Sequence, residues 1–250
     1  MSRIERIYGL HAVRALLTRR PVRVRRVLLQ RGRDDARATA IETLARGAQV
    51  VVERLPGEAL KGLVGDVVHQ GVVAEVEPLP SWREEDLLAA VATARDPLVL
   101  ALDGVQDPHN LGACLRTADA CGVLAVMVPR DRSAPLNATA RKVAAGAAET
   151  TPVVAVTNLA RTLKLLKDAG LWVVGADAAA EKPAADIDLT GPRVLVMGAE
   201  GAGLRDLTRR NCDWLARLPS LGAVESLNVS VATGMLLYEA LRQRAAAPTR

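Results

Sequence analysis

A chain of 250 residues, 50% of them hydrophobic, has enough apolar material for one large core or two smaller ones and is not disordered. No apolar run reaches the ~18–20 residues of a membrane span, and the N-terminus is charged from Arg3 onward without a signal-type apolar segment, so a cytoplasmic protein with no membrane partner is expected. The net charge of +5 is modest, but residues 1–33 hold ten Arg against one acid, Glu5, which points to phosphates as a partner.

In chain order, Gly9 to Arg19 predicts a helix and Val24 to Gln30 a strand. A helix over Ala36–Arg46 closed by Gly47, a strand at Gln49–Glu53, a short helix at Pro56–Leu63 and a strand at Gly71–Glu77 complete a small α/β layer. Pro78 and Pro80 break the pattern. The division expected is a domain over 1–77, a linker with a leading helix (Glu84 to Thr93) over 78–96, a second domain over 97–246 and a loose tail at 247–250.

The second domain alternates short, continuously apolar strands with helices. Strands are predicted at Leu98–Asp103, Val123–Val128, Val153–Val156, Leu171–Gly175, Arg193–Met197 and Trp214–Leu218. Helices are predicted at Leu111–Ala120, Ala138–Ala148, Leu159–Ala169, Arg205–Arg210 and from Asn228 onward. This pattern predicts a parallel sheet covered on both faces, and ligands of such sheets bind outside the carboxyl ends of the strands. Three loops leave those ends with polar or Gly-rich sequence: 104–110, 198–203 and 219–226.

The first reads Asp103-Gly-Val-Gln-Asp-Pro-His-Asn-Leu-Gly-Ala-Cys-Leu-Arg116. Asn110 can cap the helix, and Arg116 can pair with Asp119 one turn on. The second, Gly198-Ala-Glu-Gly-Ala-Gly203, has G-x-x-G-x-G spacing and so is no dinucleotide fingerprint. The third passes Glu225 and Ser226-Leu-Asn228 into a final helix apolar on nearly every side through Leu237. One polar residue would suffice as a cap, and Glu225, Ser226, Asn228 and Ser230 offer four, so a buried site at the start of that helix is expected. There is no P-loop and no nucleophile elbow. The three His (His11, His69, His109) lack metal spacing, and the odd set Cys114, Cys121 and Cys212 forms no C-x-x-C pair, so neither metal nor disulfide is expected. With no Phe and five other aromatics, stacking of single-stranded bases is not the expected mode of recognition.

The three loops resemble the three motifs of the SpoU/TrmH branch of the SPOUT methyltransferases. Asp107 to Arg116 is similar to the first motif, Val196 to Leu204 to the second, and Leu218-Pro through Ser226-Leu-Asn-Val-Ser-Val-Ala232 to the third. The likeness extends to Ile7–Val13, Val68-His-Gln-Gly71, Asp131–Ala140 and Val156–Arg161. The resemblance implies an α/β parallel sheet with a trefoil knot, a smaller N-terminal L30e-like domain that binds RNA, and a homodimer. It implies S-adenosylmethionine as cofactor, held at Gly198, Leu218 and Leu227, and a catalytic set of Asn110, Arg116, Glu200, Ser226 and Asn228. The implied reaction is 2′-O-methylation of a guanosine in the peptidyl-transferase P-loop of 23S rRNA, acting on the large-subunit precursor. A tRNA guanosine methyltransferase and a non-catalytic RNA-binding module are the alternatives.

Overall fold

The computed structural model describes residues 4–78, 82–222 and 226–247. The chain forms two compact units: 1–80 with 145–150, and 81–144 with 151–250.

The first unit holds a four-stranded sheet in the order β1-β4-β2-β3, with β1 Glu5–Tyr8, β2 Val24–Gln30, β3 Val51–Leu55 and β4 Val72–Val76. Only β2 and β3 run parallel; β4 is antiparallel to both β1 and β2. Helices α1 (Leu10–Arg19) and α2 (Ala36–Gly47) supply Val13, Leu16, Ile41 and Ala45 to a core completed by Val27, Leu29, Val72 and Ala74. A short helix, α3 (Gly57–Val64), buries Leu60 against Leu28 and Val73 on the other face. The strand β1 escapes a reading of the sequence because it is four residues long, with one buried side chain, Ile7.

Most of the N-terminal arginines are engaged within this unit. Glu75, only 5% exposed, accepts from Arg26 Nε at 2.8 Å and Arg6 Nε at 3.3 Å. Arg26 also reaches Glu53 at 2.6 Å, Arg25 reaches Glu77, and Arg33 reaches Asp35. Arg23 meets Glu149 at 3.4 Å, both side chains being buried. The dense basic segment is therefore largely an internal ion-pair network. Arg14 and Arg31 are exposed and enter no ion pair among the described residues.

The second unit opens with α4 (Glu84–Thr93) and builds a wholly parallel six-stranded sheet in the order β10-β8-β9-β5-β6-β7. Its strands are β5 Leu98–Asp103, β6 Ala125–Pro129, β7 Val153–Val156, β8 Trp172–Ala176, β9 Arg193–Gly198 and β10 Trp214–Ala216. The helices are α5 Pro108–Ala120, α6 Ala138–Val143, α7 Leu159–Asp168, α8 Asp206–Asn211 and α9 Val229–Ala246. Val99, Ala101, Met127, Val173, Val194 and Val196 fill one face together with Leu163 and Leu166. The helix expected over 138–148 stops at Val143, because Ala145 and Gly146 take φ of 52° and 101°. Gly112 lets α5 and α6 meet closely: a Cβ there would lie 2.5 Å from the Ala140 carbonyl oxygen. No helix among the described residues is long and apolar enough to cross a membrane.

Candidate active site at the carboxyl edge of the parallel sheet

Because all six strands run the same way, every loop that follows a strand emerges at one edge. Register fixes two of them at the same level, since Asp103, the last residue of β5, lies opposite Gly198, the last of β9. From Asp103 the chain turns at Gly104 and reaches α5, whose cap is Asp107: its carboxylate accepts the His109 N–H at 2.9 Å, with Pro108 at the first helical position. Asn110 is therefore not a cap. It sits inside the first turn, 8% exposed, and its side chain is available for something else. The sequence did carry that signal, as Asp-Pro is a stronger helix start than an Asn two residues later.

The second loop is a tight hairpin. Ala199 and Gly203 exchange two backbone hydrogen bonds, of 3.0 and 2.9 Å. Gly203 takes φ +66°, and a Cβ on Gly198 would lie only 2.5 Å from the Leu204 nitrogen, so the hairpin closes only over glycine at 198. Glu200 stands on this hairpin. In the third loop, Ser226 and Leu227 precede α9 and Asn228 caps it, accepting from Ser230 N at 2.9 Å and Ser230 Oγ at 2.6 Å. Glu225 lies outside the described residues. Contrary to expectation, the start of α9 is not buried within one chain: Ser226, Leu227 and Asn228 are exposed and Val231 is 52% exposed. Only one face of the helix packs inward, through Val229, Thr233, Leu236 and Leu237.

Three of the expected residues meet. Asn110 Nδ2 donates to Glu200 Oε1 at 3.0 Å. Asn228 Nδ2 donates to the same oxygen at 2.5 Å and to Asn110 Oδ1 at 3.1 Å. Each loop contributes one member, and a carboxylate that accepts from two amides is held in one orientation. Arg116 does not join them. Six residues from Asn110 is about 1.7 helical turns, so its face is rotated by roughly 120°. It is exposed, one turn beyond Gly112 on the side of α5 that meets α6, and it has no hydrogen bond or ion pair among the described residues. Asp119, a proposed partner for Arg116, instead accepts from Thr151 Oγ1 at 3.2 Å.

Beside this cluster lies a pocket of ≈ 460 Å³, over β8, β9 and β10. Its walls are the hairpin 198–204, the residues Leu218, Ser226 and Leu227, and the apolar groups Ala176, Met197, Ala216 and Val229. Gly198, Leu218 and Leu227 thus share one cavity with Glu200 and Ser226. The backbone groups of Leu218 and Leu227 take no partner among the described residues. A second hollow, ≈ 820 Å³, shares Leu218 and Ser220 and is bordered by Met235, Tyr238 and Glu239. There the Glu239 carboxyl is lowered to about 2, chiefly by hydrogen bonding from Arg242.

One supporting residue was not singled out from the sequence. Asp103 is wholly buried and accepts from the Arg205 backbone N–H at 3.0 Å and from Arg205 Nε at 2.5 Å. It thereby ties the end of β5 to the chain just after the glycine hairpin. An acid ending an otherwise apolar strand was the available signal. The cysteines lie away from any metal-like cluster: among the described residues no three His, Cys, Asp or Glu gather in a way that could hold an ion. Burial pushes the thiols of Cys114 and Cys212 up to about 11 and about 12.

The chain belongs to the SpoU rRNA methylase family, whose model matches residues 97–238; residues 6–82 match a second model, RNA 2′-O ribose methyltransferase substrate binding. The resemblance read from the three loops is thus shown. Among relatives, the 23S rRNA (guanosine-2′-O-)-methyltransferase RlmB of Pseudomonas aeruginosa is 58% identical over 245 residues, covering 98% of each chain. RlmB of Escherichia coli K12 is 50% identical over 240 residues, covering 96% of this chain and 99% of its own. The SpoU methyltransferase AviRb from Streptomyces viridochromogenes, solved in complex with the cofactor AdoMet, superposes with a TM-score of 0.76 at 26% identity, covering 98% of this chain and 92% of that one. The A. aeolicus TrmH/SpoU tRNA modifying enzyme gives a TM-score of 0.56 at 31% identity and covers 65% of this chain and 84% of its own.

Proposed function

We propose that the protein is an S-adenosylmethionine-dependent methyltransferase acting on the ribose 2′-hydroxyl of a guanosine in the peptidyl-transferase P-loop of 23S rRNA. The observation that carries this reading is the meeting of Asn110, Glu200 and Asn228, one from each motif loop, at the rim of a pocket lined by Gly198, Leu218 and Leu227. The pocket fits the cofactor: ≈ 460 Å³ is within the usual range for small-molecule sites, its apolar wall suits an adenine ring, and the backbone groups of Leu218 and Leu227 take no partner among the described residues.

When bound, the cofactor supplies a methyl carbon already activated by its sulfonium, so no metal is required. The chain's own work is to place the 2′-oxygen in line and to let its proton leave. Glu200 fixes the two amides, and Asn110 and Asn228 hold the loops and the ribose. Arg116 is essential as a positioner, binding the acceptor's phosphate: a guanidinium offers five N–H donors and no acceptor, which suits it to phosphate oxygens and makes it a poor base. Ser226, exposed at the pocket rim, relays the proton outward.

The first unit is an L30e-like RNA-binding domain that carries the rRNA, and the loops around α9 thread the trefoil knot of the family. The exposed apolar groups Leu227, Val231, Tyr238 and Leu241 around α9 support a homodimer formed through that helix. Work on a ribosomal precursor puts the enzyme in the cytoplasm.

Transfer of labelled methyl from S-adenosylmethionine to unmodified 23S rRNA and to bulk tRNA, in parallel reactions, tests the reading. Label at one guanosine ribose of 23S rRNA is expected. Label in tRNA alone would overturn the substrate, and label in neither, with no cofactor binding, would favour a non-catalytic RNA-binding module.

A further inference from the structure

The carboxyl edge divides into two halves. The pocket occupies the β10-β8-β9 side, and the Asn110–Glu200–Asn228 cluster sits over β9 and β5. On the far side of α5 is the loop that follows β6, Arg130-Asp-Arg-Ser-Ala-Pro-Leu-Asn137. It belongs to a stretch that the three motifs do not include.

This loop is braced along its length. Arg130 N donates to the Val156 carbonyl at 2.8 Å, Ala134 N donates to the Val105 carbonyl in the first motif loop at 2.8 Å, and Asn137 caps α6. Ala134 is buried, whereas Arg130 and Arg132 both stand in solvent. Arg132 is held at φ +59°, in the left-handed region that side chains other than glycine seldom occupy. Neither arginine has a side-chain partner among the described residues, and Asp131 between them pairs with neither. Elsewhere in this unit, cations are commonly neutralised: Arg161 by Glu84, Lys167 by Asp213, Arg193 by Asp188, Arg209 by Asp177. The Ser133 hydroxyl is also buried without a partner among the described residues. The backbone of Arg132 passes beside Gly104 at the start of the first motif loop, 3.8 Å from where a Cβ on that glycine would lie, so the strap borders the loop that carries Asn110.

We propose that the loop 130–137 is a phosphate-binding strap for the acceptor RNA, with Arg130 and Arg132 holding the backbone beside the nucleotide to be methylated. Exposed guanidiniums carried on a braced backbone, with no partner among the described residues, are suited to phosphate oxygens. The assignment rests on the RNA methyltransferase reading above and adds to it the side from which the acceptor strand approaches. It places acceptor and cofactor on opposite sides of the cluster, the arrangement that an in-line methyl transfer requires.

The test is the doubly substituted Arg130→Ala, Arg132→Ala protein, with Lys164→Ala, Arg210→Ala as a control that removes equal charge from α7 and α8. Binding to unmodified 23S rRNA transcript is measured over a series of salt concentrations, together with KM for each substrate and the melting temperature. For two lost phosphate contacts the slope of log K against log salt is expected to shrink by roughly 1.5. KM for the RNA should rise about tenfold, an order-of-magnitude expectation for that charge loss, while KM for S-adenosylmethionine, the melting temperature and the control stay unchanged. A salt slope and RNA KM equal to wild type in a protein that methylates RNA would overturn the strap. If wild type transfers no methyl group, the methyltransferase reading fails separately; the salt slope still decides whether the loop contacts RNA.

Discussion

The N-terminal sheet and the carboxyl edge of the second sheet use polar residues in opposite ways. In the first unit, Arg6 and Arg26 converge on buried Glu75, Arg25 meets Glu77 and Arg33 meets Asp35, so charge is consumed by the fold. At the edge of the second sheet the carboxylate of Glu200 is held by two amides, and among the described residues neither Glu200 nor Arg116 enters an ion pair. The comparison separates charge count from charge available to a ligand. A run of arginines in sequence marks a candidate surface; only the partners decide whether it faces phosphate or an internal carboxylate.

Substitutions can break or sharpen that contrast, and the largest effect on cofactor binding is expected at Gly198. Gly198→Ala puts a Cβ 2.5 Å from the Leu204 nitrogen. Overpacking of this kind costs about 1–3 kcal/mol, or ~10–100-fold in cofactor affinity if it falls wholly on the pocket; calorimetric titration with S-adenosylmethionine reads it. Glu200→Gln is next. It keeps the shape but weakens two charge-assisted bonds worth about 1.5–3 kcal/mol each at most, so single-turnover transfer should slow by roughly tenfold with rRNA affinity unchanged.

Arg26→Ala probes the other region. Loss of a partly exposed ion pair should lower stability by about 1 kcal/mol or less, measured by urea unfolding, and leave methyl transfer intact. The hydrogen bond from Arg26 holds the Glu75 carboxyl below its ordinary value of 4.5. A lowered folded-state pKa stabilises above the unfolded value and that contribution is lost as pH falls through the folded one. The wild type should therefore resist acid further below pH 4.5 than Arg26→Ala does. The smallest effect concerns the thiols: with Cys114 and Cys212 raised to about 11 and about 12, both should alkylate slowly at pH 8 in the native protein and quickly after unfolding, read by mass spectrometry.

Much of this architecture was legible in the chain. Glu84–Thr93, Leu98–Asp103 and Val153–Val156 have the bounds that periodicity and turn residues set, because each is a regular element flanked by strong breakers. Where the reading failed, a tertiary contact had prevailed over local preference. The Ala-rich run after Ala138 is broken by positive φ at Ala145 and Gly146; Gly146 was a legible stop signal, whereas a left-handed Ala145 goes against local preference. Asp103 is marked as an acid ending an apolar strand, but its partner Arg205, 102 positions on, has no local signature. The site was legible as three loops, since each carries Gly or Asn out of an apolar strand, yet their meeting at Glu200 depends on the order in which the strands pack. Helical periodicity alone explains why Arg116, six residues on in the same helix as Asn110, faces elsewhere.

The most direct test of the account compares wild type with Arg116→Ala in cofactor titration and in methyl transfer to unmodified 23S rRNA. The account predicts unchanged affinity for S-adenosylmethionine and a fall in transfer of about 100-fold or more, the scale of losing a group that orients charge at the reacting centre. Transfer at the wild-type rate would contradict it, because the exposed guanidinium of Arg116, which takes no partner among the described residues, would then have no part in the reaction.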